Sequence, residues 1–460
     1  MAPQDIAVRA LEGLREALAG DAITPRDAGY DEARSIFNAM IDRRPAVIAQ
    51  CESAADVAAA VHFGREQELE VAVRGGGHSV AGLAVNDGGL VIDLRRMHAV
   101  TVDPEARTAR VGGGATMSHL DRATQPFSLA TTGGRASTTG LGGFTLGGGS
   151  GWLERKFGLA CDNLVSVDLV TADGTQVRAS ADENPELFWA LHGGGGNFGV
   201  ATSMTLRLHP LPHLAIALLL WPAERGPAVL PVYRDLLAAA PDDVGGGFLY
   251  LTGSPDDFVP EHLVGRAVCA VLITFTGTEP AMRRAAAPLL DLGHEAEVIT
   301  EMPYADLQCM LDDPPGLRNY WSAEYLDALP DEAVDVFCAR AETMIVPSNS
   351  QHIIFPMGGA LGRDDSDYPL PWRDAQWAVH PFAIWSDPAD DERGRQWVRD
   401  VRTDVDPWSL GMVYLNFIGS EGDERVIAGF GAHNYRRLAE VKAQYDPDNV
   451  FRLNHNIKPA

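Results

Sequence analysis

Residues 71–82 read VAVRGGGHSVAG, so His78 stands directly behind Gly75, Gly76 and Gly77. Bare backbone after a strand is the composition of a nest in which several N–H groups converge on a diphosphate. Arg74 can add a charge there and Ser79 a hydroxyl donor, with Gly82 closing the stretch. An imidazole held rigidly beside such a ligand is a competent nucleophile toward an electrophilic carbon, whereas a loop histidine in isolation is more often a solvated hydrogen-bond partner. The spacing is not GxGxxG, and LAVNDGGLVIDL follows as turn and strand instead of helix, which disfavours a Rossmann-type dinucleotide site. A second loop, TTGGRASTTGLGGFTLGGGSGW at 131–152, and GGGGNFG at 193–199 repeat the material. Together they imply a large extended ligand pressed against bare backbone; the competing reading is that the glycines mark close strand crossings.

The elements that must position these loops are legible as a strand in PAVIAQ, a helix in SAADVAAAVHFGREQELE capped by Ser53, and a strand in VAVRG. Hairpins follow at AVTVDPEARTARVG, turning at Asp103 and Pro104, and at LVSVDLVTADGTQVRAS, turning at Asp173 and Gly174. NPELFWALH reads as a helix with Asn184 as its cap and Pro185 in the first turn. HPLPH, at 209–213, breaks both periodicities and is expected to end a first domain over 1–210. Beyond it, strands such as IALLLW, AVCAVLITF and WAVHPFAIW alternate with helices, predicting an α+β second domain over 211–415, an antiparallel sheet backed by helices. The segment 416–460 returns to the first domain. Its ending, with Asn449, Asn454 and Asn456, reads either as a turn with a capping tail or as a tail that docks on a ligand.

Composition narrows the function classes. Glycine contributes 47 of 460 residues, against a usual share of roughly 7%. Acidic residues outnumber basic ones 63 to 37, a net charge of -26 that repels nucleic acid and anionic membranes. The N-terminal stretch MAPQDIAVRALEGLREALAGD is a charged amphipathic helix without an apolar signal core, and no membrane-length apolar run follows, so a cytoplasmic protein is expected. Five scattered cysteines and thirteen histidines show no metal-ligand spacing, and no metal is expected.

RGGGHSVAG, STTGLGGFTLGGGSGWLERKFGLACDNL, VTADG, ENPELFWALHGGGGNFGV and YDPDNVFRLNHNIKP together resemble the berberine bridge enzyme-like flavoproteins of the vanillyl-alcohol oxidase superfamily, from about residue 35 to the C-terminus. The resemblance implies the two-domain fold with a PCMH-type FAD-binding domain and a bound FAD whose diphosphate lies on residues 74–79. It implies covalent attachment of the flavin 8α-methyl to His78. It extends the cofactor-binding set to Ser137, Thr138, Thr139, Gly142, Gly143, Gly148, Gly149, Asn163, Gly199, Val200, Tyr414, Asn416, Asn454 and Asn456. Many relatives carry a second link from a cysteine; Ala136 stands at that position here, so no cysteinyl link is expected, and Cys161 is expected to be structural.

On the reacting face, YLNF places Tyr414 and Asn416 on one side of an expected strand. By resemblance that side looks at the flavin, where a tyrosine serves as base or as its helper. WAVHPFAIW corresponds to the strand that carries a polar active-site residue; His380 falls at or beside that position, with a pKa near neutrality suited to proton transfer and a bulge at Pro381 to aim it. Thr139 sits where relatives control oxygen access, and a small residue there resembles the oxidase version. The resulting expectation is an FAD-dependent oxidase taking a hydride to flavin N5 from a secondary-metabolite alcohol, amine or sugar-like substrate, with molecular oxygen as partner. A flavin dehydrogenase using another acceptor and a non-catalytic flavin-binding protein are the competing readings, and a homodimer is left open.

Overall fold

The computed structural model describes Ile6, residues 8–310, 312–363 and 366–460. The first helix runs Val8–Ala17; its expected start at residues 1–5 and 7 lies outside the described residues.

The strand–helix–strand unit forms, with Ser53 Oγ accepting from the Asp56 N–H at 3.2 Å to start the helix Ala54–Glu66. Its strands, Val47–Gln50 and Val71–Arg74, are not neighbours. Leu90–Asp93 lies between them, parallel to both, and Asp21–Ile23 pairs antiparallel at the outer edge. Burial of all four residues of Leu90–Asp93 suits that central place, because an inner parallel strand is covered on both faces. Both expected hairpins form, Val100–Asp103 with Thr108–Gly112 and Leu164–Val170 with Gln176–Ser180, and Val200–Arg207 joins them into one five-stranded antiparallel sheet. The helix Pro185–Ala190 also forms, but Asn184 does not cap it: its backbone is left-handed and its amide donates to Arg178 O.

The third sheet is large and antiparallel. Its strands run Ala296–Glu301, Ala215–Pro222, Ala267–Phe275, Val244–Thr252, Gln351–Pro356, Trp377–Trp385 and Arg318–Trp321, with Glu324–Leu326 also on Trp377–Trp385. Side chains alternate across it. Phe248, Tyr250, Ile354, Val379 and Ala383 share a core with the helices Gly226–Ala239, Asp331–Ala341 and Asp391–Val405. The intervening residues Gln351, Ile353, Phe355, His380, Phe382 and Ile384 therefore face the opposite way, into a cleft toward the glycine-rich loops. Period two thus delivers His380 to the cleft without any local distortion.

No bulge forms at Pro381: the register with Gln351–Pro356 runs unbroken from Phe382 to Trp377. The interruption falls instead on the neighbouring strand, which pairs Trp321 with Phe382 and Glu324 with Val379 but leaves Ser322, facing Pro381, outside the ladder. Proline has no N–H to give, so the Ser322 carbonyl is released and accepts from His380 Nδ1 at 2.7 Å.

The C-terminal segment is tied back by one buried cation. Lys442, on the helix Ala432–Tyr445, donates to Asn197 O at 2.7 Å, Phe451 O at 2.9 Å and Asp446 Oδ2 at 2.7 Å. Asp446 in turn accepts the Val450 and Phe451 N–H groups. Lys442→Met leaves that carboxylate buried without its counter-ion and is expected to cost about 3–5 kcal/mol. Denaturant unfolding checks this; a loss under about 1 kcal/mol would show that the ion pair does not hold the tail.

Candidate active site

A cavity of about 370 Å³ lies where the glycine-rich loops, the cleft face of the large sheet and the C-terminal tail meet. The glycines around it do two different jobs. Gly76 and Gly140 cross backbone to backbone: a Cβ on Gly76 would fall 2.3 Å from Gly140 N, and one on Gly140 would fall 2.2 Å from Gly76 N. A Cβ on Gly143, Gly195 or Gly196 would meet nothing within 4 Å, and all three line the cavity. Close crossing and an open cradle, the two readings weighed from sequence, therefore hold at different positions.

The crossing sets His78 against the second loop, with Nε2 2.8 Å from Thr138 Oγ1 and Phe37 stacked on the ring at 4.2 Å. Nδ1 makes no hydrogen bond among the described residues. Burial pulls the His78 pKa down to about 4, opposed by the Asp312 carboxylate, so the ring is neutral near pH 7. Ala136 and Thr139 line the cavity beside it. Cys161 is buried and does not, with its sulfur near the Arg373 guanidinium.

Tyr414 and Asn416 meet, though not on a strand. Tyr414 is extended and Leu415–Phe417 make one 3-10 turn, since no neighbouring strand is there to pair. Asn416 Nδ2 donates to Tyr414 Oη at 2.8 Å, and the Gly149 N–H donates to the same oxygen at 2.8 Å. A Cβ on Gly148 would press to 3.1 Å from the tyrosine ring, and one on Gly147 would overlap the Asn416 amide. These glycines make room for side chains, and Gly148 and Gly149 do not line the cavity. Burial raises the Tyr414 pKa well above that of an ordinary phenol.

His380 reaches the cavity between aromatic rings, with Phe382 at 3.8 Å and Phe417 at 4.0 Å and with Trp321 and Phe355 farther out. A carbonyl can only accept, so Nδ1 carries the proton it shares with Ser322 O and Nε2 is a bare acceptor. Among the described residues that atom is buried without a partner. The near-neutral pKa expected from sequence does not hold: burial drives it well below the ordinary value, helped by the Arg135 charge.

Ser79, Gly75, Gly77, Gly142, Gly199, Val200 and Asn454, candidates for holding a cofactor, line the cavity. Several candidates are placed elsewhere. The Arg74 guanidinium is buried on Asp93 at 2.7 Å and contacts Ser35 O, which removes it from any diphosphate. Gly82 packs against Ile41, and Asn163 donates to Phe157 O and Leu159 O, away from the cavity. Ser137 is bound to Asp312, and Asn456, like Thr138, falls outside the lining. Residues missed in the sequence include Arg135, Gln351 and Asp313. Arg135 lies over the Phe355 ring, bonded to Glu154 at 3.0 Å; its signal was the charge inside an otherwise neutral glycine loop. The aromatic wall carried no such mark.

FAD fits this cleft. Bare backbone at Gly143, Gly195 and Gly196 is open for a diphosphate and ribityl chain, and Asn454 Oδ1 and His380 Nε2 are buried acceptors lacking partners. Among the described residues no helix is long and apolar enough to cross a membrane.

Residues 45–180 match the FAD binding domain family, and residues 413–458 match the berberine and berberine-like family. (R)-6-hydroxynicotine oxidase of Paenarthrobacter nicotinovorans is 32% identical, covering 96% of this chain and 97% of that protein. The uncharacterized FAD-linked oxidoreductase YgaK of Bacillus subtilis (strain 168) is 30% identical, covering 96% and 97%. Among solved structures, 6-hydroxy-D-nicotine oxidase from Arthrobacter nicotinovorans superposes with a TM-score of 0.86 at 30% identity, covering 96% of this chain and 98% of that one. A berberine bridge enzyme structure shares the fold with a TM-score of 0.85 at 22% identity. Likeness at this identity along nearly the whole of both chains, with the two family matches at opposite ends of the sequence, shows that the chain belongs to the berberine bridge enzyme-like FAD-linked oxidoreductases of the vanillyl-alcohol oxidase superfamily.

Proposed function

We propose that the protein is an oxidase with FAD attached through His78 alone, acting on a small ring-bearing amine that has a C–H next to its nitrogen and passing the electrons to dioxygen. Bound FAD would supply the two-electron acceptor for the substrate and the means of passing those electrons to dioxygen as hydrogen peroxide. The observation that carries the substrate reading is His380 Nε2, a lone neutral acceptor enclosed by Phe382, Phe417, Trp321 and Phe355. It can take one N–H hydrogen bond from a ring-bearing substrate, while the rings around it offer apolar surface and little for the many hydroxyls of a sugar.

The protonation states favour an amine over an alcohol. An alcohol losing hydride needs a base for its hydroxyl proton, and His380 resists protonation in this setting. Tyr414 is no substitute: its oxygen already accepts from Gly149 and Asn416, which leaves a neutral phenol with its own hydrogen to donate. An amine stabilises the developing charge with its own lone pair, and the relative named for oxidising 6-hydroxynicotine agrees with that class. Thr139, a small residue on the cavity wall, leaves room for dioxygen. Ala136 offers no thiol for a second link.

The test is anaerobic bleaching of the flavin absorbance with a panel of arylalkyl amines, benzylic alcohols and sugars, followed by admission of air. Arylalkyl amines are expected to bleach it and air to restore it at once. Bleaching by sugars alone would overturn the substrate class, slow recovery would indicate a dehydrogenase, and no bleaching at all a binding protein.

His380→Phe removes the acceptor while keeping the ring. It is expected to weaken binding of an N–H substrate by about 1–3 kcal/mol, the cost of leaving that donor unpaired in a dry site. Titrations of the flavin spectrum would measure this, and unchanged affinity would take His380 out of substrate recognition.

Since the His78 ring gains its proton only near pH 4, attachment to added FAD is expected to be level between about pH 6 and about pH 8 and to fall as the pH drops toward 4. The acid-stable flavin formed at each pH gives the profile. A sharp rise through about pH 6.5 would show an ordinary imidazole instead.

A further inference from the structure

Thr138 is the only side chain hydrogen-bonded to His78 among the described residues, and its position is set by what brackets it in the chain. On one side the Ser137 carbonyl accepts the Ser118 N–H at 2.9 Å; on the other the Thr139 carbonyl accepts the Met117 N–H at 3.0 Å. The remaining donors of Ser137 both go to one carboxylate: its N–H to Asp312 Oδ1 at 2.7 Å and its hydroxyl to Asp312 Oδ2. Asp312 comes from far along the chain, just before the strand Arg318–Trp321 of the large sheet. The helix Tyr304–Cys309, which leads to it, grips the same loop upstream, where the Tyr304 hydroxyl takes the Gly133 N–H at 3.1 Å. The half of the molecule that carries the large sheet thus holds this loop at two points just upstream of Thr138, Gly133 and Ser137.

We propose that Asp312 is a positioning residue for attachment of the flavin at His78: by clamping both donors of Ser137 it sets the Thr138 hydroxyl on Nε2 and fixes the ring with Nδ1 unengaged. This rests on the reading of His78 as the attachment point. In that step one C–H bond of the 8α-methyl and the imidazole N–H break and a C–N bond forms. The two protons and two electrons released reduce dioxygen, the oxidant, to hydrogen peroxide. The ring becomes cationic as it is alkylated, and the Asp312 carboxylate, which raises the basicity of His78 against its burial, acts in the required direction.

The experiment uses full-length protein produced under riboflavin limitation and then given FAD. Two quantities are followed in time: total bound flavin, and flavin that stays with acid-precipitated protein. Asp312→Asn and Thr138→Val are expected to bind FAD to the same extent as the unaltered chain but to fix it about 10–100-fold more slowly, the range for a misplaced reacting group. Asp312→Glu is expected to recover much of the rate, which a merely structural role would not give. If Asp312→Asn fixes FAD at the normal rate the inference falls; should that variant fail to fold, normal fixation in Thr138→Val overturns it equally. If the unaltered protein itself yields no acid-stable flavin, the reading of His78 falls first and takes this inference with it.

Discussion

Gly76 and Gly140 pass so close that neither tolerates a Cβ, and the candidate site is organised around that contact. It puts the loop after the strand Val71–Arg74 against the loop that precedes the helix Leu141–Leu146, and so sets His78 beside Thr138. It also leaves the open backbone of Gly143 turned to the cavity, with Gly195 and Gly196 across from it. A Cβ at either position would overlap the facing backbone, and the hydrogen bond between His78 and Thr138 spans the same pair of loops.

The second constraint is the alternation of the large sheet. Its helix-facing side chains are packed solid, while residues of the other face, Ile353 and Phe355 among them, serve both a second core cluster and the cavity wall. Pro381 adds one refinement: by withholding an N–H it releases the Ser322 carbonyl, and that carbonyl fixes the tautomer of His380. A single missing backbone donor thereby decides that the histidine shows the cavity an acceptor.

Much of this was legible in the sequence, for identifiable reasons. Backbone that must bend sharply or approach closely demands glycine, so the loops announced themselves, and His78 stood out against them. The hairpins at Asp103–Pro104 and Asp173–Gly174 were legible because turn chemistry is local. What failed depended on distant partners. Arg74 was assigned to a diphosphate because its partner Asp93 lies one strand over in the sheet, a pairing that spacing does not reveal. YLNF has strand periodicity but no strand beside it. Phe37, Trp321, Phe382 and Phe417 come from separate segments, each indistinguishable in sequence from ordinary core, and only the fold makes them a wall. Asp312 belongs to the same class: a solitary aspartate until Ser137 is beside it.

One imidazole, held where the glycine loops cross, is the proposed point of attachment for the flavin. Its most direct measurement is mass spectrometry of proteolytic peptides from the unfolded holoprotein. The peptide containing His78 is expected to carry the mass of FAD and every cysteine peptide to be unmodified. An unmodified His78 peptide, or flavin on the peptide of Cys161, would contradict it.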